Sequence, residues 1–210
     1  MSSAVKTLAD IPSLSLLYRQ GVLRPATSTL QPVQALNDIV SPLRYDITAL
    51  NVHSIVNAAN SSLLGGGGVD GAIHRAAGPQ LIEECAQLNG CDVGDAKITL
   101  AYNLPCERVI HAVGPIYRRE FNRDPKGPER LLRSCYRRSL EIAVSKNVRS
   151  IAFSCISTGI YGYPNNQAAL VAADEVRKFL SAPENAGKID RVVFCLFQDE
   201  DVRAYDTALP

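Results

Sequence analysis

The fold of this chain is decided by the stretch Asn57-Ala58-Ala59-Asn60-Ser61-Ser62-Leu63-Leu64-Gly65-Gly66-Gly67-Gly68-Val69-Asp70-Gly71. The short apolar run Ile55-Val56, typical of a buried strand, precedes it, and a helical pattern follows it. Four successive glycines lose much conformational entropy on folding, so their presence indicates that side chains would obstruct something here. Backbone N–H groups between a strand and a helix bind anions, and the stretch therefore predicts a phosphate-binding loop.

Asp70 and His74 lie four positions apart and therefore on one face of the predicted helix. An anion-binding loop with a carboxylate and an imidazole at its rim is the layout of a site. Two structural alternatives stay open, since Asp70 can serve as the N-cap of the helix and His74 can be an ordinary helix histidine. His53 and His111 lie near or within strands and are expected to be structural.

The pattern Gly66-x-Gly68-x-x-Gly71 formally matches the dinucleotide-binding fingerprint. In a Rossmann unit, however, the glycines follow the first strand directly and an acidic residue ends the second strand. Here residues 57–64 intervene, and Asp92 precedes the next strand instead of ending it. No Lys-Ser/Thr pair follows a glycine, as it would in a P-loop. What remains is the general tendency of glycine amides at a helix N-terminus to bind phosphate.

A second loop repeats this arrangement in Ser157-Thr158-Gly159-Ile160-Tyr161-Gly162-Tyr163-Pro164, between an apolar strand pattern and a helical one. In an open α/β sheet, loops at the carboxyl ends of strands converge on one crevice. Two such loops predict a diphosphate bound between them. Tyr161, between glycines, can place its ring on a sugar or base, although it can also be an ordinary turn tyrosine.

Strand-like and helical runs alternate along the chain after an N-terminal extension, residues 1–37, in which a short helix is expected around residues 11–18. The predicted strands are residues 39–45, 54–57, 96–102, 109–113, 150–156 and 191–197, and the predicted helices are residues 71–88, 128–146 and 164–180. Pro42 restricts the first strand to an edge or a bend. Apolar strands between amphipathic helices predict a three-layer α/β/α domain over residues 38–210.

Composition argues against several classes of partner. The chain has 210 residues, and its 22 Lys and Arg nearly balance its 21 Asp and Glu, so no net field attracts nucleic acid or membranes. The arginines of residues 118–138 recur at helical spacing and are expected to form a solvated helix face. No secretory signal is evident, and six cysteines without a C-x-x-C pair predict reduced thiols and no zinc site. An intracellular protein of the cytoplasm or nucleus is expected, with a mitochondrial location left open.

From about residue 39 onward the chain resembles the macrodomain family, specifically its MacroD-type branch of ADP-ribosyl hydrolases. The resemblance rests on four motifs, which are Asp46-Ile47-Thr48, residues 57–70 with Gly71-Ala72-Ile73-His74-Arg75-Ala76-Ala77-Gly78-Pro79, Val109-Ile110-His111-Ala112-Val113-Gly114-Pro115, and residues 157–164. It implies a mixed central sheet between helices, with ADP-ribose in a cleft at the strand ends.

The resemblance also implies roles for individual residues. At the adenine end, Asp46 would accept from the amino group, the Ile47 amide would assist, and Phe197 would lie near the ring. The diphosphate would be wrapped by Gly66, Gly67, Gly68 and Val69 and by Ser157, Thr158, Gly159, Ile160 and Tyr161. Asn60 would bind the hydroxyls of the distal ribose, Tyr161 would pack on that ribose, and Ala59 would also contact the ligand. Asp70 would lie near the anomeric carbon with support from His74, which makes Asn60, Asp70 and His74 the expected catalytic residues.

The implied activity is hydrolysis of the bond between C1'' of ADP-ribose and an acidic side chain, releasing mono-ADP-ribose from modified proteins. O-acetyl-ADP-ribose carries a similar ester and is a second expected substrate. The implied partners are ADP-ribose and ADP-ribosylated proteins, with no cofactor, metal, nucleic acid or membrane, and a monomer is expected. The alternatives are a non-catalytic ADP-ribose reader and a phosphatase acting on ADP-ribose 1''-phosphate.

Overall fold

The computed structural model describes residues 3–24 and 32–209 of the chain. Its strands are β1 (Lys6–Thr7), β2 (Val40–Arg44), β3 (Leu50–Asn51), β4 (Ser54–Ala59), β5 (Ala96–Leu100), β6 (Arg108–Val113), β7 (Ser150–Phe153) and β8 (Arg191–Leu196). Its helices are α1 (Leu14–Arg19), α2 (Gln34–Asn37), α3 (Gly68–Ala77), α4 (Pro79–Gln87), α5 (Tyr117–Arg123), α6 (Gly127–Ser145), α7 (Asn165–Ser181) and α8 (Asp199–Ala208). Short 3₁₀ helices cover Leu8–Asp10, Ile47–Ala49 and Pro183–Asn185.

Six strands form the central sheet in the order β2-β8-β7-β4-β6-β5. All neighbours pair in parallel except β5, which runs antiparallel to β6. The predicted mixed sheet is therefore confirmed. The strand β2 lies at one edge, as Pro42 predicted, because a residue without an N–H cannot serve a ladder on both sides.

Helices cover both faces of the sheet and make the predicted three-layer architecture. On one face Tyr136 of α6 packs with Phe153 and Phe194 in a cluster that also includes residues of α7 and α8. On the other face Ile73 of α3 and Leu81 of α4 are fully buried. Alternate residues of each strand pack into the apolar clusters on the two faces of the sheet, because successive side chains along a strand point to opposite faces.

The single helix predicted for residues 71–88 is wrong. Two helices, α3 and α4, occupy this stretch, and they meet at Gly78, whose φ of +85° belongs to the left-handed region. A Cβ on Gly78 would lie 2.6 Å from Asn103 Nδ2, and Pro79 cannot donate a helical hydrogen bond. The first of these helices also begins earlier than predicted, at Gly68.

The described part of the N-terminal segment packs against the domain. Ile11 and Leu14 are 2% and 1% exposed, and α1 begins three residues later than the predicted start at residue 11. The two-residue strand β1, which no pattern predicted, pairs in parallel with β3. No helix within residues 3–24 and 32–209 has the length and apolar character to cross a bilayer.

The arginines of residues 118–138 were expected to form a solvated helix face. In the structure several of them form ion pairs with carboxylates. Arg133 contacts Glu129 on α6 together with Asp174 and Glu175 on α7, and Arg137 donates to Glu175 at 2.7 Å. The prediction took account of local acids but not of α7, because that contact spans about 40 positions of sequence. All six cysteines are free thiols, as predicted.

Candidate active site

The carboxyl ends of the parallel strands open into one cleft with a volume of about 660 Å³, within the usual range for ligand sites. It is lined by every residue expected to bind ligand, namely Asp46, Ile47, Ala59, Asn60, Gly66, Gly67, Gly68, Val69, Asp70, Ser157, Thr158, Gly159, Ile160, Tyr161 and Phe197. His74 does not line the cleft and lies behind Asp70. The structure thus brings together residues from distant parts of the chain.

The glycine loop is shaped by contacts that allow no side chain. A Cβ on Gly71 would lie 2.4 Å from the carbonyl oxygen of Gly66, so the start of α3 packs directly on the loop. A Cβ on Gly66 would lie 3.1 Å from Asp70 Oδ2 and 3.2 Å from Asn60 Nδ2. The φ of +61° at Gly68 also favours glycine. The sequence therefore places bare backbone beside the carboxylate.

Asn60 organises this loop from inside. Its Nδ2 donates to the carbonyl of Gly65 at 2.7 Å, and its Oδ1 accepts from the backbone N–H and the hydroxyl of Ser62 at 3.0 and 2.6 Å. The role expected for Asn60, binding of ribose hydroxyls, stays a prediction. Both ends of its amide group already hold the loop in place.

The second loop approaches the first across the cleft. Ile160 Cδ1 lies 3.4 Å from the position that a Cβ on Gly67 would take. Ser157 adopts a left-handed φ of +67°, and its buried hydroxyl has no hydrogen-bond partner among the described residues. Ile160 is 85% exposed and Phe197 is 77% exposed, so the cleft presents large apolar side chains to solvent. Such exposure is typical of binding surfaces.

Both loops present backbone N–H groups that the described chain does not use. The amides of residues 66–69 and of residues 158–161 donate to no carbonyl or side chain in the described ranges. The first set includes the start of α3, where the helix dipole adds positive potential. The arrangement suits a polyanion lying between the two loops.

Asp70 is 4% exposed and is the third residue of α3, whose N-cap is Gly67. The alternative in which Asp70 caps the helix is therefore wrong. Its Oδ1 accepts from Asn57 Nδ2 at 2.7 Å. Burial raises the pKa of Asp70 above the usual 3.8, and this effect exceeds the opposing effects of the Asn57 hydrogen bond and of His74. A buried carboxylate with a raised pKa is suited to accept a proton.

His74 lies against this carboxylate without completing a hydrogen bond to it. Its Nε2 is 3.4 Å from Asp70 Oδ1, but neither ring nitrogen has a hydrogen-bond partner in the described part of the chain. The ring packs under Gly65, where a Cβ would lie 3.4 Å from it, and the side chain is only 11% exposed. His74 therefore lies behind Asp70 and does not face the cleft, and its expected support of Asp70 stays a prediction.

At the opposite end of the cleft, Asp46 caps a 3₁₀ helix. Its Oδ1 accepts from the backbone N–H and the hydroxyl of Thr48 at 3.0 and 2.7 Å. Tyr45 also lines the cleft. Its hydroxyl donates to the carbonyl of Ala4 at 2.6 Å, and the Lys6 ammonium lies 5.0 Å above its ring. The N-terminal segment thus packs against Tyr45 at this end of the cleft.

Asp201 is a buried lining residue that the sequence analysis missed. Its Oδ1 accepts from Asn165 Nδ2 at 2.7 Å and lies 3.4 Å from the Thr158 hydroxyl, while its Oδ2 accepts from the backbone N–H of Gln198 at 3.0 Å. One carboxylate therefore ties the second loop to the beginnings of α7 and α8. An Asp at the third position of a helix pattern could have indicated the cap but not the loop contact.

His74, Cys85 and His111 each place a potential ligand atom within 4.8 Å of the others. The chemistry of this group does not fit a metal ion. His111 Nδ1 is already within 3.1 Å of Asn57 Nδ2, so that nitrogen has a partner in the protein. His111 Nε2 is already within 2.9 Å of the Thr99 hydroxyl.

Residues 56–172 match the model of the Macro domain family. Human ADP-ribose glycohydrolase MACROD2 is 52% identical over 177 residues, which cover 84% of this chain and 40% of the human protein. The Macro domain-containing protein CT2219 of Chlorobaculum tepidum is 52% identical over 173 residues, which cover 82% of this chain and 96% of the relative. The chain thus spans about two fifths of the length of human MACROD2 and nearly all of the bacterial relative.

Solved structures share the fold. The Trypanosoma brucei macrodomain in complex with ADP-ribose superposes with a TM-score of 0.82 and 38% identity, covering 100% of this chain and 80% of that one. The Oceanobacillus iheyensis macrodomain with ADP superposes with a TM-score of 0.74 and 41% identity, covering 81% of this chain and 89% of that one.

Proposed function

Because the chain belongs to the Macro domain family, we propose that its cleft binds ADP-ribose and that it hydrolyses the ester between C1'' of ADP-ribose and an acidic side chain. The products are the freed protein carboxylate and ADP-ribose. O-acetyl-ADP-ribose, which carries an ester on the same sugar, is a second substrate of this proposal. The named relatives and the ADP-ribose complex of the trypanosomal macrodomain support it.

In this proposal the two loops bind the diphosphate, and other residues of the cleft bind the two ends of the nucleotide. The unused amides of residues 66–69 and 158–161 hydrogen-bond the diphosphate, which needs no metal ion for its charge. Phe197 and Asp46 meet the adenine at one end, and Tyr161 packs on the distal ribose at the other. Binding of the whole nucleotide orients C1'' for reaction. Orientation of this kind lowers the activation barrier by up to about 7–11 kcal/mol.

In the chemical step, Asp70 accepts a proton from a water molecule whose oxygen forms a bond to C1''. The bond between C1'' and the ester oxygen breaks, and the electron pair leaves with the protein carboxylate. The raised pKa of Asp70, caused by its burial, makes it a stronger base than an exposed aspartate. His74 and Asn57 keep the carboxylate in place throughout.

The burial of Asp70 between the glycine loop and Asn57 is the observation that carries this proposal. A module that only read ADP-ribose would need the loops but not a desolvated carboxylate, whose burial is unfavourable unless it serves some purpose. The phosphatase alternative would use the same cleft and is separated by its product, inorganic phosphate.

The test compares the wild-type chain with Asp70→Ala on a protein carrying ADP-ribose on glutamate. We expect the variant to release no ADP-ribose while it binds free ADP-ribose with nearly wild-type affinity by calorimetry. Wild-type turnover in the variant would remove Asp70 from the mechanism. Phosphate release from ADP-ribose 1''-phosphate that is faster than ester hydrolysis under identical conditions would favour the phosphatase.

ADP-ribosylated proteins are the partners that this activity requires. A monomer without direct nucleic-acid contacts remains the prediction from the sequence, as does the intracellular location. The affinity for nucleic acid would fall steeply between low and physiological salt. We expect the affinity for the modified protein to change little over the same range, which separates the two kinds of binding.

A further inference from the structure

A chain of buried polar side chains runs from Asp70 into the central sheet. Asn57 Nδ2 donates to Asp70 Oδ1 at 2.7 Å and lies 3.1 Å from His111 Nδ1, and His111 Nε2 lies 2.9 Å from the Thr99 hydroxyl. All four side chains are buried. Burying polar groups is unfavourable unless they are hydrogen-bonded, and the rest of this sheet face is mainly apolar. This series of four buried polar side chains therefore needs an explanation beyond packing.

Strand register brings the central pair together. Asn57 of β4 and His111 of β6 are aligned partners in adjacent parallel strands. Side chains at aligned positions point to the same face, here the face covered by α3, which carries Asp70. The pair is thus fixed by the pairing of two strands inside the central sheet and does not depend on a loop.

The hydrogen-bond directions along this chain follow from elementary chemistry. An ionised carboxylate only accepts, so the Asn57 group next to Asp70 is the NH₂. The second hydrogen of that NH₂ requires an unprotonated acceptor at His111 Nδ1. Burial, with a smaller contribution from His74, lowers the pKa of His111 to about 3, so the ring is neutral at physiological pH. A neutral ring has one N–H, which must be on Nε2 and donate to Thr99.

Nothing else fixes the orientation of the Asn57 amide. Its Oδ1 is buried and has no hydrogen-bond partner among the described residues. The amide is therefore held through its NH₂ alone, between Asp70 on one side and His111 on the other. If it turned over, its oxygen would face the Asp70 carboxylate and repel it.

We propose that His111 is a positioning residue for the hydrolysis proposed above, because its unprotonated Nδ1 locks the Asn57 amide and thereby holds Asp70. The Thr99 hydroxyl completes this series of contacts by accepting a hydrogen bond from the Nε2–H of His111. The Oδ2 of Asp70, next to Gly66, is left for the reacting water. The inference rests on the proposed function for its consequence but not for its geometry.

Turnover of variants of the 210-residue chain provides the first test. His111→Leu removes the acceptor and should lower kcat about 10–100-fold with little change in the affinity for ADP-ribose. His111→Asn can present an amide oxygen near the former Nδ1 and should recover part of the loss. Ser139→Ala, which removes a buried hydroxyl from α6 outside this chain of contacts, is the control and should leave kcat unchanged.

Thr99→Val keeps the inference testable if replacements of His111 do not fold. It removes the acceptor of Nε2 in a nearly isosteric way and leaves Cys85 Sγ, 3.6 Å away, as a weak substitute. Loss of one neutral hydrogen bond should lower kcat about 2–10-fold. Wild-type kcat in a folded His111→Leu chain would overturn the inference, and if that variant does not fold, wild-type kcat in Thr99→Val would overturn it.

NMR of the wild-type chain tests the geometry without any turnover. In ¹⁵N-histidine-labelled protein, His111 should show the Nε2-protonated tautomer from pH 5 to 8. A proton on Nδ1, or Zn²⁺ bound at Nε2 by the purified chain, would overturn the inference. If wild-type protein binds ADP-ribose but releases none from modified protein, the proposed function fails, whereas the tautomer result stands or falls separately.

Titration of Asp70 by ¹³C NMR provides a readout that a merely structural role would not change. The groups facing Asp70 are Asn57, His74, Cys85 and Tyr161. The Asn57 hydrogen bond lowers the pKa of Asp70, so freeing that amide in His111→Leu should raise it further. An unchanged pKa of Asp70 in a folded His111→Leu chain would contradict the inference.

Discussion

Gly66 and Asp70 approach each other so closely that a Cβ on the glycine would lie 3.1 Å from the carboxylate Oδ2. The φ of Gly66 is not left-handed, so the backbone alone would accept another residue there. Asp70 is buried and hydrogen-bonded to Asn57, so it could make room for a Cβ only by a small shift of its carboxylate. The glycine is therefore required by the carboxylate beside it.

Replacing Gly66 with Ala should lower kcat about 10–100-fold, because displacing a reacting group by a fraction of an ångström is costly in a preorganised site. The free energy of unfolding should change by less than about 1 kcal/mol, since Asp70 and Asn60 can shift slightly. Turnover assays with urea denaturation measure both quantities. The control is Gly127→Ala at the start of α6, where φ is also ordinary. Full activity in Gly66→Ala would contradict this account of the loop.

The burial that prepares Asp70 for catalysis should reduce the stability of the chain. Because the pKa of Asp70 is higher in the folded chain than when unfolded, its stabilising contribution is present below the unfolded pKa. That contribution is lost as pH rises through the folded pKa. Asp70→Asn should therefore raise the melting temperature at pH 7, and the gain should shrink toward pH 4.

Calorimetric melting of both chains between pH 4 and 7 tests this trade-off. Activity should be lost in the same variant, which is the usual relation between stability and a desolvated catalytic group. A variant that melts lower than wild type at pH 7 would show that the ionised carboxylate is a net stabilising group. Asp206→Asn, at an exposed acid outside the cleft whose pKa is also raised, is the control for activity.

The dependence of kcat on pH should report Asp70 as a base. Activity should fall as pH is lowered through the pKa of Asp70, and the midpoint should lie above the usual 3.8 because the side chain is desolvated. Pre-steady-state measurements at saturating substrate isolate this step. A profile without an acidic limb above pH 4 would argue that Asp70 does not accept the proton.

Asp201 should control binding and not chemistry. Asp201→Ala removes the acceptor for Asn165 and Thr158 together with the cap of α8, so the second loop should loosen. We expect about 1 kcal/mol of lost stability and weaker ADP-ribose binding. The rate at saturating substrate should stay within a few-fold of wild type. Glu200→Ala, at an exposed acid in the same helical turn, is the matched control and should leave affinity unchanged.

Those parts of the fold that depend on local pattern were predictable. The apolar runs of β4, β7 and β8 and the helical pattern of residues 128–146 predicted the layers, and Pro42 restricted β2 to an edge or a bend. Even the error at residues 71–88 had a local signal, because glycine followed by proline at Gly78 and Pro79 is a typical helix end. Apolar spacing continues across these two residues and by itself predicts a single helix.

The contacts that complete the site were not predictable in the same way. Asn57 and His111 are 54 positions apart, and Asp201 is 43 positions from Thr158. Hydrophobic periodicity indicates which face a residue occupies but not which polar group lies opposite. The roles of Tyr45 and of the N-terminal strand likewise depend on a contact between residues 41 positions apart.

The central claim is that two sets of backbone amides hold a diphosphate so that the distal ribose meets Asp70. A crystal structure of this chain with ADP-ribose tests it most directly. We expect phosphate oxygens within hydrogen-bond distance of the amides of residues 66–69 and 158–161, and C1'' separated from Asp70 by a single water. A nucleotide bound elsewhere, or a distal ribose pointing away from Asp70, would contradict the account.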